Sequence, residues 1–174
     1  MQPGEALGIS AQIAVALAGF TGIVVVFATG AAHEWPATDR FRLKLLLIGS
    51  IVPLVLSLTG LLLLVSGLRA DRVWALASAL AALLLVASGV SIVRTFRHLA
   101  SREFRNLGGN RAVFYTTSVA ASAVTLLQFV NAIVLRIFWP FFLCIIIAML
   151  ICILQFMRLV LHHAGGATRL DGKL

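Results

Sequence analysis

The chain has 174 residues, 61% of them hydrophobic and 11% charged, and a formal net charge of +8. Soluble domains carry about 25% charged residues, and a fold this small has too much surface to hide so many apolar side chains, so a soluble globular protein is excluded. The 14 basic residues against 6 acidic ones fit the cytoplasmic loops of a membrane protein; the basic stretches contain no recognition fold, and no nucleic-acid partner is expected.

The first apolar run spans 8–32. It has no Lys or Arg before it, unlike a secretory leader, and is read as a retained span. Ala11, Ala14, Ala18, Gly22 and Thr29 share one of its faces, a small-residue stripe suited to helix packing in lipid. The loop "HEWPATDRFRLK" follows, with Thr38 placed to cap the next helix.

The second span is 43–67. Gly49, Ser50, Pro53, Ser57 and Gly60 fall on one face. Pro53 should kink the helix, and the Ser57 hydroxyl is placed to bond back to the Pro53 carbonyl. After "LRADR" comes the third span, 73–93, where Ala75, Ala82 and Gly89 recur every seven residues, a repeat that favours left-handed packing.

The segment 94–107, "RTFRHLASREFRNL", puts Phe96, Leu99, Ala100, Phe104 and Leu107 on one helical face. Arg94, Arg97, Arg102 and Arg105 flank or oppose it. This pattern is that of a basic amphipathic helix on the membrane surface, in contact with anionic lipid headgroups.

The last apolar run, Ala112 to Leu161, would be about 75 Å long as one helix, more than twice the hydrocarbon thickness. It must turn. Arg136, Trp139 and Pro140 near its midpoint mark a surface hairpin, since proline disfavours helix before it and Trp prefers the interface. The fourth and fifth spans are then 112–135 and 141–161.

With five spans, one side holds three Lys and Arg residues and the other holds eleven. The positive-inside rule therefore puts the N-terminus outside and the C-terminus in the cytoplasm. The expected fold is an all-α membrane protein of five transmembrane helices. The last two form an α-hairpin, and a short basic amphipathic helix lies at the cytoplasmic surface. Residues 1–174 form one domain, with 164–174 a flexible tail.

Candidate functional residues lie mainly on the last two spans. Thr117, Thr125, Gln128 and Asn131 form a polar stripe, faced by Gln155 and Arg158. Such a stripe is either a polar pathway or the polar contacts that hold membrane helices together. No Asp or Glu lies within any of these five runs, and intramembrane carboxylates are what proton-coupled transporters commonly use. No catalytic motif is present. A haem or metal would need His33 and His162 to meet at the inner ends of the first and last spans; no cofactor is expected. The expected function is non-catalytic: association with copies of itself or with other membrane subunits. The alternative is a small oligomeric channel or transporter with a basic, anion-favouring mouth.

Overall fold

The computed structural model describes residues 2–29, 37–99 and 111–167. Their order is α1 (Pro3–Thr29), α2 (Ala37–Val65), α3 (Ala70–Leu99), α4 (Arg111–Val130), a π-helical turn (Asn131–Leu135) and α5 (Phe138–Ala167). Five helices are long and apolar enough to cross a membrane, and the architecture is all-helical.

α1 starts at Pro3, earlier than the apolar run suggests. Proline at the first helical position sacrifices no hydrogen bond. Glu5 accepts the Gln2 backbone N–H at 3.0 Å, half of a capping box. α2 starts at Ala37, so Thr38 lies inside its first turn and is not the residue before it. Past Val65, Gly67 turns the chain at φ 72°, in the left-handed region glycine adopts without a Cβ clash.

α2 and α5 form the middle of the bundle, with α1 against both and α3 between α2 and α4. Two close approaches set their spacing. A Cβ on Gly49 would lie 3.1 Å from the Cys152 Cβ, and one on Gly60 would lie 2.8 Å from Leu7 Cδ1 and 3.1 Å from Phe141 Cε1. Without a hydrophobic drive between helices in lipid, such small-residue contacts carry the packing. Ser50, Pro53, Ser57 and Gly60 are buried, so the inward face of α2 is the expected one. The Ser57 hydroxyl, however, has no hydrogen-bond partner and does not bond back to Pro53.

Leu7, Leu56, Trp74, Phe141 and Ile145 belong to one core cluster. It gathers the start of α1, the end of α2, the start of α3 and the start of α5 at one end of the bundle. The N-terminus, the 66–69 loop and the α4–α5 turn therefore share that end, as the five-span reading requires. Lys44 and Thr95, bonded at 2.7 Å, mark the opposite end.

Several expectations need correction. Trp35, Trp74 and Trp139 all flank span ends, where tryptophan is expected in an interfacial belt. Trp74 is instead 5% exposed and packs on Phe138 and Phe141 with ring centroids 4.9 and 6.1 Å away, a core residue, while Trp139 is exposed and Trp35 lies outside the described residues. Of the expected α1 face, Ala11 and Ala14 are buried, but Gly22 is exposed with nothing within 4 Å of its Cβ position. The buried face turns through Leu7, Ser10 and Thr21 instead. On α3, Ala82 is buried, whereas Ala75 and Gly89 are only half-buried; the core face runs through Ala77, Ser78 and Ala81.

α3 continues unbroken to Leu99, so Arg94 to Leu99 prolong the spanning helix. Residues 100–110 are outside the described set, and a separate amphipathic surface helix is not shown. α5 is described to Ala167, and 168–174 lie outside.

Candidate functional site

The polar stripe divides into two parts with different surroundings. At the turn end, Gln128 and Asn131 are both 0% exposed. Asn131 begins the π-helical turn, where the Arg136 N–H reaches back five residues to the Asn131 carbonyl at 2.9 Å. Its side chain closes the reversal. Asn131 Nδ2 donates to the Ile137 carbonyl at 2.9 Å and to Ser78 Oγ at 2.6 Å, and Oδ1 accepts the Ile137 N–H at 3.1 Å. One carboxamide thus satisfies both backbone groups of Ile137 and ties the turn to α3.

Gln128, about one turn earlier, donates from Nε2 to the Pro140 carbonyl at 2.7 Å. This holds α4 to the first turn of α5. Its Oε1 is buried without a partner. Arg136 carries the reversal at φ 54°, ψ 41°, a left-handed conformation disfavoured for a residue with a Cβ. Its Nε bonds back to the Ile133 carbonyl at 3.2 Å. The reversal occupies only Arg136 and Ile137, so the hairpin is tighter than the expected turn over residues 136–140, and Trp139 and Pro140 sit in the first turn of α5. There the missing proline N–H costs no intrahelical bond.

At the opposite end the helices part around a cleft of about 170 Å³ between α2, α3, α4 and α5. Gly49, Ser88, Thr117, Thr125 and Gln155 are among its lining, in otherwise mostly apolar walls. Thr125 bonds its own helix, Oγ1 to the Ala121 carbonyl at 2.7 Å. Gln155 is 9% exposed, and no hydrogen bond reaches its carboxamide among the described residues. Toward the turn the cleft stops near Val124 and Cys144; beyond them Gln128 and Phe141 are fully buried.

The chain matches no protein-family model, no curated protein and no solved structure.

The expected stripe is therefore brought together on one side of α4, but it is not one continuous lining. Gln128 and Asn131 tie the turn together; Thr117, Thr125 and Gln155 border the cleft, Thr125 with its hydroxyl bonded to Ala121. The side chain of Arg158 lies outside the described residues. Arg94 is exposed at the basic end of α3; the side chain of Arg97, and all of Arg102 and Arg105, lie outside the described residues. So do His33 and the side chain of His162. Among the described residues no His, Cys, Asp and Glu cluster has metal-ligand geometry.

The sequence reading missed Ser78, Lys44 and Gln12. Ser78 carries no signal in sequence, because its role follows from where the turn falls. Lys44 was counted only as a loop charge, yet it is half-buried and bridges to Thr95. Gln12 is the sole carboxamide in the first apolar run, and its isolation there was the available signal.

Proposed function

We propose that this protein is a non-catalytic, multi-pass protein of the inner membrane that acts by helix–helix association, as a homo-oligomer or as an accessory subunit. Its N-terminus lies outside and its C-terminus in the cytoplasm. One observation carries the reading: at the turn end the most polar residues of the spans, Gln128 and Asn131, are buried and bonded inside the chain. Polar side chains used in this way act as contacts between membrane helices and leave no hydrophilic lining through a single chain at that level. Arg94, Arg97, Arg102 and Arg105 would meet anionic headgroups at the cytoplasmic face, each adding about 1 kcal/mol near the surface.

The test is the mass of the particle extracted gently with its native lipid. A multiple of 18.6 kDa, or co-isolation with other membrane subunits in fixed ratio, supports the proposal. A single chain at every concentration overturns it.

The cleft favours a second reading, an oligomeric channel or transporter. Gln155, which no hydrogen bond reaches among the described residues, would then contact a permeating or bound species entering from the basic end, beside Thr117 and Thr125 on the same cleft wall. Anion flux into protein-loaded liposomes that falls on Gln155→Leu would favour this reading over the first.

A further inference from the structure

α1 carries an anomaly that packing within the chain does not resolve. Leu7 packs against Gly60, and α1 and α2 run antiparallel. Gln12, five residues further along α1, therefore lies level with about Val55, near the middle of the candidate span Leu43–Val65 and of a hydrocarbon layer about 30 Å thick. Its side chain faces away from the bundle and is exposed. Among the described residues nothing hydrogen-bonds to it. Exposure at this depth is exposure to lipid, where an unpaired carboxamide loses its water partners and gains none. The side chain is too short to reach either surface from there.

The surroundings are equally unusual. At 100° per residue, Gly8, Ala16 and Gly19 lie within about 40° of Gln12. A Cβ added at Gly8 or Gly19 would meet nothing within 4 Å. Glycine inside a helix costs about 0.5–1 kcal/mol relative to alanine, and no contact within the chain accounts for either one. They leave a shallow strip along an exposed helix with a hydrogen-bonding group at its centre.

We infer that this strip is a homotypic interface. The Gly8–Gln12–Ala16–Gly19 face of α1 docks on the same face of a second copy, and the two Gln12 carboxamides bond to each other. The inference rests on the association reading and names its surface. A second copy is the occupant because a carboxamide is its own complement, with an acceptor oxygen and a donor NH₂. Two copies inserted in the same sense are related by a two-fold axis along the membrane normal, which gives a self-complementary contact and puts both Gln12 residues at one depth. The small residues let the backbones come close enough for those amides to meet. Glu5 shares the face nearer the membrane surface, where its carboxylate is engaged by the Gln2 N–H at 3.0 Å.

The experiment uses the full chain in native membranes, with Cys144 and Cys152 replaced by alanine. Single cysteines are placed at Ala16, on the face, and at Ile13, about 100° round the helix. Oxidation should give a covalent dimer from Ala16→Cys and none from Ile13→Cys. In vesicles, energy transfer between labelled copies should report dimerisation weakened roughly tenfold by Gln12→Leu and largely retained by Gln12→Asn, the scale of an interhelical polar contact in lipid. Thermal melting of Gln12→Leu checks that the variant is folded, as an exposed site should allow. Self-association that is unchanged by Gln12→Leu and cross-links elsewhere overturns this interface but leaves the association reading intact. A chain found only with different subunits does the same. A chain that is single throughout overturns both.

Discussion

Asn131 Nδ2 lies 2.6 Å from Ser78 Oγ, and this contact fastens the α4–α5 turn to the third helix across 53 residues of sequence. Since Asn131 also bonds both backbone groups of Ile137, its removal orphans three polar groups at once. Asn131→Leu should lower unfolding free energy by about 2 kcal/mol or more. Ser78→Ala should cost less. In a double-mutant cycle the two should couple by about 1 kcal/mol, read from thermal or denaturant unfolding in detergent. Additive effects would show that the contact contributes nothing.

Gly60→Ala should be destabilising despite alanine's better helix propensity. The new methyl would sit 2.8 Å from Leu7 and 3.1 Å from Phe141, and Phe141 is fully buried. Overpacking of this kind typically costs about 1–3 kcal/mol. Gly22→Ala, where nothing lies within 4 Å, should instead be neutral or slightly stabilising. Melting temperatures of the pair check the contrast.

Ser57→Ala should leave stability unchanged or raise it slightly, because the hydroxyl is buried without a partner and its burial carries a desolvation cost. A clear loss would mean that the hydroxyl finds a partner in the membrane.

Gln155→Leu should likewise melt no lower than the parent, since no hydrogen bond reaches Gln155 among the described residues. Any fall in ion flux or ligand binding by that variant would then belong to the cleft and not to unfolding.

Cysteines placed at Gly67 and Ile137 should be labelled from the same side of the membrane, and one at Arg94 from the other, in a background without the native cysteines. The first pair flanks turns at one end of the bundle. Under the proposed orientation an impermeant thiol reagent added outside reaches Gly67 and Ile137 only. Reversed labelling inverts the orientation without touching the fold.

The spans were legible because length and apolarity suffice for them: a 50-residue run cannot cross once, and proline near its middle says where it bends. The inward face of α2 was legible for the same kind of reason, since Gly49, Ser50, Pro53, Ser57 and Gly60 are poor lipid-facing residues. What the sequence could not show depended on the partner's position. Trp74 reads as an interfacial residue until α5 brings Phe138 and Phe141 against it. Asn131 reads as part of a stripe until the π-helical turn rotates it onto Ile137 and Ser78. For α1, small residues lie on two faces, Ala11 and Ala14 toward the bundle and Ala16 and Gly19 away from it, and Gln12 on the exposed face was the difference.

The two-residue reversal at Arg136 and Ile137 also bears on how the protein is made. α4 alone in lipid would present the carboxamides of Gln128 and Asn131 without partners, because the Pro140 and Ile137 carbonyls that accept from them arrive with the next helix. The link is too short for a hydrophilic loop to cross while α4 waits. The last two spans should therefore leave the insertion machinery as a single hairpin, with Gln128 already bonded to Pro140 and Asn131 to Ile137 before either helix meets the bilayer.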